Sequence, residues 1–390
     1  MKRKFLSHKK LTLLSSLLIL SSIISGCSNS STNTSKNINL KSILAKNEST
    51  DELYKAAKKE GKVVIYSTSG RAKDAKKSFE KKYPGIKVEV SVLKSDELMN
   101  KVTKEQDASM FNADVIITKE VSGAVKNQMV DKGRYLRYLP SDIAANVDEP
   151  FKTQSEGYAS YLEFRTLFYN TDDFKEAPVK NWWDLTTPEW KGKVYTADPL
   201  SNPAFMDLFS TMVINSDDMA KAYKEKFGKD IVLHGTENAG YEFIKELYNN
   251  GLVVLKGSDD ALDAINKKGK NAVAIAVSGD MSKIEEKSWH VSPIYDIQPK
   301  TSVPDPGYVF VAKNAPHSSA AMLYLRWIMG ETDGKAKGVD AFNAVGAWIP
   351  RKDVKSKNPL NYSDLNLWNF DGDKLYKTSP KVRDFWIGLK

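Results

Sequence analysis

What most constrains the fold of this chain is an alternation of short β-branched runs with amphipathic helical stretches, beginning at Lys62. Lys62-Val63-Val64-Ile65-Tyr66 is a strand-like run closed by Ser67-Thr68-Ser69-Gly70. Ala72, Ala75, Phe79 and Tyr83 then recur at helical spacing until Pro84-Gly85 stops the helix. Ile86 to Leu93 alternates, with Val88, Val90 and Val92 expected on one face. A helical stretch from Ser95 to near Met110 precedes a third strand, Ala113-Asp114-Val115-Ile116-Ile117. Strand, helix, strand, helix, strand predicts right-handed crossovers and a mostly parallel sheet. Val121 to Asp131 is expected to cover that sheet as a further helix.

Tyr158 to Asn170 (YASYLEFRTLFYN) is long, aromatic and β-rich, without a helical period. It reads either as a long edge strand or, the preferred reading, as a strand crossing from one domain to the next. A second α/β unit runs from Trp182 to about Gln298. It has strands at Lys193–Ala197 and Ala272–Val277, and helices near Pro203–Val213, Ser216–Phe227 and Thr236–Asn249. The tail from Asn358 to Lys390 has weak periodicity.

The N-terminus indicates export. Lys2, Arg3, Lys4, Lys9 and Lys10 precede an apolar, serine-rich run from Leu11 to Ile24 and then Ile24-Ser25-Gly26-Cys27. A basic segment, a short apolar run and small residues before a cut site are the parts of a secretory signal, and the run is short for a membrane span. Cys27 is the only cysteine, and Ile-Ser-Gly-Cys resembles the bacterial lipobox, in which the thiol takes a lipid. Residues 1–26 are therefore expected to be a signal peptide, and 27–50 a lipidated cysteine with a polar tether (Ser28 to Ser35 is SNSSTNTS). The lipid would be the only membrane contact, on the extracellular face. A secreted protein with a stray thiol is the alternative.

The chain carries 58 Lys+Arg against 49 Asp+Glu, a net charge of +9. Without the five basic signal residues the excess falls to 53 against 49, or +4. Lysines and acids also mix along the chain, as in Lys73-Asp74-Ala75-Lys76-Lys77, a pattern of solvated faces that argues against nucleic acid. Residues 27–390 exceed one ordinary core and suggest two domains. Disulfides and soft-metal sites have no cysteines to use. Eight Trp, fifteen Phe and seventeen Tyr supply the apolar area instead.

Enzyme signatures are missing. No G-x-S-x-G, G-x-G-x-x-G or Walker A pattern occurs. Ser78-Phe79-Glu80-Lys81 matches S-x-x-K without its partner motifs. His234, His290 and His317 lack zinc-ligand spacing. No cofactor is expected.

The candidate site residues sit in loops at strand C-termini, where open α/β sheets bind ligands. Ser67, Thr68, Ser69, Gly70 and Arg71 offer hydroxyls, backbone N–H groups and a guanidinium at a helix start, which suit an anion. A hydroxyl there equally suits an N-cap. Thr118 and Lys119 follow the third strand. Ser201 and Asn202 precede the helix at Pro203 and suit a cap or a ligand. Ser278, Gly279 and Asp280 open another helix after Val277, although Asp280 would oppose an anion. Arg165, a charge among aromatics, is either a surface residue of an edge strand or a cleft anchor able to grip carboxylate or phosphate bidentately.

Several stretches, in order, resemble the extracellular solute-binding proteins of ABC importers, of the type 2 periplasmic-binding-protein fold, in their ferric-ion, sugar-phosphate and polyamine branch. They are Gly61–Gly70 (GKVVIYSTSG), Phe79–Val88 (FEKKYPGIKV), Ala113-Asp114-Val115, Trp183–Lys193 (WDLTTPEWKGK) and Asn314-Ala315-Pro316-His317 with Ala320 and Ala321. The resemblance implies an α/β, two-lobed fold, each lobe a mixed, mostly parallel sheet flanked by helices, with the ligand cleft at the hinge. Lobe 1 would hold residues 51–162 and 301–345, lobe 2 residues 163–300 and 346–390. It implies a non-enzymatic, monomeric capture protein whose partners are a small solute and the permease and ATPase subunits. A sensor for a membrane kinase and a cell-envelope enzyme are the rival classes. Iron-binding members carry adjacent tyrosines where this chain has Ser278-Gly279-Asp280-Met281, and some have a histidine where it has Ser67-Thr68-Ser69. A phosphorylated, phosphonate or carboxylate organic anion is therefore the expected solute, and ferric iron the alternative.

Overall fold

In the computed structural model, residues 49–390, except Pro150 and Ser155, are described here. The expected signal peptide, Cys27 and most of the tether lie outside them.

The first helix, α1 (Thr50–Glu60), starts at a capping box in which Ser49 and Glu52 bond each other's backbone N–H groups. It ends at Gly61 with φ 75°, the left-handed conformation glycine adopts without strain. Strand β1 (Lys62–Ser67) and helix α2 (Arg71–Lys82) follow, α2 burying Ala72, Ala75 and Phe79 as its spacing predicts. Next come β2 (Lys87–Val92), α3 (Ser95–Asp107) and β3 (Val115–Lys119). β1 pairs in parallel with β2 on one side and β3 on the other. Val92 is 41% exposed rather than buried with Val88, because β2 ends the sheet and nothing covers its far end. The helix expected over Val121–Asp131 is a single π-helical stretch, Val125–Val130. The two-residue strand β4 (Tyr135–Leu136) follows it.

Strand β5 (Tyr158–Asn170) is central and buried, not an edge. Beyond it lie β6 (Val194–Ala197), α4 (Pro203–Ile214), α5 (Ser216–Phe227) and α6 (Ala239–Asn249). α6 starts three residues later than Thr236, where the Asn238 side chain caps two backbone N–H groups. β7 (Val253–Leu255), α7 (Ser258–Ile265), β8 (Val273–Val277) and β9 (Val291–Pro293) lead to the second long central strand, β10 (Pro304–Ala312). α8 (Ser318–Met329) packs against α1. The weakly periodic tail forms a seventeen-residue helix, α9 (Gly372–Gly388), with Pro380 inside it.

All ten strands join one sheet in the order β2-β1-β3-β10-β5-β8-β6-β7, with β4 on β10 and β9 on β5. β5 changes partners midway. Residues up to Phe164 pair antiparallel with β10, and those from Arg165 pair with β8 and β9. One apolar core gathers around β1, β3, β10 and α8, and takes in Trp348 and Leu365. A second gathers Trp182, Trp183, Phe205, Phe209, Trp368 and Trp386. A smaller cluster lies between α7 and β8. The partner switch in β5 thus places its middle residues between the two principal cores. No helix among the described residues is long and apolar enough to cross a membrane.

Candidate functional site

Alternation along β5 puts Tyr161, Glu163 and Arg165 on one face, at the partner switch. The antiparallel register sets Asp305 of β10 directly opposite Glu163. Two carboxylates so placed would repel, and cations from three elements neutralise them. Lys119, at the end of β3, donates to Asp305 Oδ2 at 2.7 Å and also pairs with Glu163. Arg71, at the start of α2, pairs with Glu163 Oε1 at 2.8 Å, its guanidinium lying 4.3 Å from the Tyr161 ring centre. Arg165 pairs with Asp305 and lies over the Phe205 ring.

Burial alone would raise the Glu163 carboxyl, but Lys119 and Arg71 outweigh it and hold Glu163 down to about 2. Burial likewise works against the charges of Lys119 and Arg71, yet their carboxylate partners raise both above their ordinary values. Three cations, Arg71, Lys119 and Arg165, face the two paired carboxylates Glu163 and Asp305. The side chains of Arg71 and Lys119 remain 18% and 24% exposed, against 5% for Arg165. Arg165 is therefore no surface residue of an edge strand. It is buried at the hinge, and its charge is already committed.

The loop hydroxyls shape this cluster. Ser67 Oγ donates to the Ser69 carbonyl at 2.9 Å and accepts from the Ser69 N–H at 3.0 Å, closing the turn. Thr68 Oγ1 accepts from the Lys119 N–H at 3.1 Å, locking the β1 and β3 loops together. Ser69 Oγ accepts from the Arg71 N–H, while Gly70 is exposed beside it. Thr118 is buried, with its hydroxyl on the Lys119 carbonyl. Ser278 accepts from the Phe164 N–H and donates to the Gly346 carbonyl, so its hydroxyl is spent on the scaffold. A Cβ on Gly279 would stand 2.3 Å from Glu163 Oε1, so only glycine lets that carboxylate lie there.

Three expected residues are not brought to this cluster. Ser201 is exposed in a separate groove with Tyr248 and Lys256, its hydroxyl on the Asp198 carbonyl. Asn202 precedes α4 without a side-chain capping bond. Asp280 turns away to Ser258 and Lys283.

Beside the cluster lie residues that the reading of motifs passed over. Glu120 and Asp207 are buried in a narrow space shared with Arg165 and Asp305. Asp207, on α4, accepts from the Ser122 N–H and hydroxyl at 3.2 and 2.6 Å, a bond between elements of the two cores. Burial pushes Glu120 up to about 8 and Asp207 up to about 7. Next to Ser122 opens a groove of about 490 Å³, within the size range of small-ligand sites. Val121, Ala124 and Gln128 line one side, and Leu200, Met206 and Arg383 the other. α9 reaches across its end, with Asp373 meeting Lys126 and Tyr376 meeting Gln128.

For a metal, the described residues offer one close group of at least three His, Cys, Asp or Glu ligand atoms, His234, Glu242 and Glu246. It lies on α6 and the loop before it, away from the hinge, and Glu242 already accepts from His234 and Thr236. The cluster at the partner switch of β5 instead combines ion pairs with the hydroxyl-rich turn from Ser67 to Ser69.

Residues 74–364 match the family described as bacterial extracellular solute-binding protein. No curated protein sequence matches the chain. Among solved structures, the apo ferric ion-binding protein A of Pasteurella haemolytica superposes with TM-score 0.65 at 19% identity, covering 84% of this chain and 98% of its own. Iron-bound HitA of Pseudomonas aeruginosa gives 0.63 at 18%, covering 84% and 99%. AfuA of Actinobacillus pleuropneumoniae, a periplasmic binding protein with fructose-6-phosphate bound, gives 0.61 at 19%, covering 85% and 98%. At these identities the likeness shows the α/β periplasmic-binding-protein fold. With the family match spanning most of the chain, and an α/β fold that sets a charged cluster between two cores, this chain belongs to the bacterial extracellular solute-binding proteins.

Proposed function

We propose that the chain is the solute-capturing subunit of an ABC importer, held on the extracellular face of the membrane by a lipid on Cys27, and that it turns nothing over. Its solute is a small organic anion bearing phosphate, phosphonate or carboxylate. Two lobes, 51–162 with 301–345 and 163–300 with 346–390, close on it by hinge motion. The observation that carries this reading is that two cations of the cluster, Arg71 and Lys119, are still partly exposed. Those two groups and the turn from Ser67 to Gly70 make the first contacts, and Arg165 sits behind them. AfuA, of similar fold, holds a sugar phosphate.

Ferric iron is the second reading, favoured by the iron-bound HitA among the structural neighbours. Against it stands Ser278-Gly279-Asp280-Met281 in place of a tyrosine pair. One thermal-shift screen separates the two, using sugar phosphates, phosphonates, carboxylates, polyamines and ferric citrate. A ligand at 100 times its dissociation constant stabilises by roughly 2.7 kcal/mol. An anion should give that shift, and Arg71→Met should remove it. A visible tyrosinate–iron band with no response to organic anions would establish the iron reading instead.

A further inference from the structure

A groove of about 880 Å³ lies far from the hinge cluster, where α2 ends and the chain leaves α8. Its rim carries Lys77, Lys81, Lys82, Lys335 and Lys337, all exposed. None of the five makes an ion pair with another described residue; what sets them apart is that all five line one concavity. Of the two acids on the rim, Glu331 is committed to Arg326, Thr50 and Tyr83. Asp333 remains, accepting from the Lys335 N–H. Five ammonium groups, offset on the rim by Asp333 alone, thus surround one concavity that also takes in Tyr83 and Trp327.

Thr50, the second described residue, lines the same groove. The segment joining it to Cys27 is 28–49, polar at its start. If Cys27 carries lipid, the described chain begins at this groove only about twenty residues after the anchored cysteine, which keeps the groove near the bilayer. At that effective concentration even weak attraction to headgroups is realised. Juxtamembrane lysines are drawn to anionic lipid within a Debye length.

We propose that this lysine-rimmed groove docks on anionic phospholipid headgroups of the membrane that carries the anchor, and so sets the orientation of the globule. The lipid-anchor reading supplies the proximity, but an assay on unlipidated chain tests the surface alone.

The chain from residue 28, which holds every described element, is titrated with phosphatidylcholine vesicles with and without phosphatidylglycerol at low ionic strength. Binding should need phosphatidylglycerol and weaken with salt. Lys77→Glu, Lys81→Glu and Lys337→Glu together should lower it at least about tenfold. The same number of reversals elsewhere, Lys221→Glu, Lys267→Glu and Lys270→Glu, should change it little. Undiminished binding by the groove variant, equal loss in the control, or binding to a soluble polyphosphate with none to vesicles each overturns the proposal.

Discussion

Glu120→Gln should reverse its effect on stability with pH. Glu120 is 3% exposed. Its Oε1 accepts from the Val121 and Val125 N–H groups at 2.8 and 3.1 Å, while Oε2 has no partner among the described residues. Burial pushes the carboxyl up to about 8, the two N–H groups oppose this, and the charge of Asp207 adds to it. Because the folded value lies above the unfolded one, near 4.3, the folded chain holds a proton that the unfolded chain releases. That stabilisation is complete below about pH 4 and is lost as pH rises through about 8. At about 1.4 kcal/mol per pH unit, the loss is on the order of 5 kcal/mol, roughly 7 °C in Tm for a unit of this size. Glutamine keeps the acceptor for both N–H groups and never ionises. Melting curves from pH 5 to pH 9 should therefore nearly coincide at the acid end and separate in favour of the variant at the alkaline end. The gain should shrink in an Asp207→Asn background, where Glu120 loses the charge that helps raise it. Parallel curves for parent and variant across this range would refute the buried, titrating Glu120.

Arg165→Met leaves Asp305 buried with Lys119 as its remaining ionic partner, and breaking such a pair typically costs about 3–5 kcal/mol. An unchanged Tm would show that Asp305 does not depend on Arg165. Gly279→Ala drives a methyl against Glu163 Oε1. The carboxylate must shift off Arg71 and Lys119, at a cost of about 1–3 kcal/mol, with loss of anion-induced stabilisation. Full ligand response in that variant would exclude Glu163 as the organiser of the cations. Cys27→Ala should leave uncleaved precursor or release the protein to the medium, since anchoring comes from buried acyl methylenes, about 0.8 kcal/mol each. Fractionation as a mature membrane lipoprotein would remove the anchor assignment.

Local periodicity was enough for much of the fold. The spacing of Ala72, Ala75 and Phe79 settles the buried face of α2, and β-branched runs locate β1, β3 and β8 to within two residues, because these depend on neighbours in the chain. Order and content of the N-terminal basic and apolar segments likewise speak for export without any tertiary contact. The length and aromatic content of Tyr158–Asn170 made a crossing strand the preferred reading, and its two sets of pairing partners decide against an edge. The tail hid α9 because its stability comes from packing, with Trp386 stacked on Phe209, more than from its own periodicity. The site divides in the same way. Arg71 and Lys119 were legible as charges near strand ends and Arg165 as a charge among aromatics, and alternation in β5 would have put Glu163 on the same face as Arg165. Asp305 is 140 residues from Arg165. Its place opposite Glu163 is set by the register of β10 on β5, and only the assembled sheet reveals that the cations are largely paired. Electrostatics depends on through-space distance, which one-dimensional order does not carry.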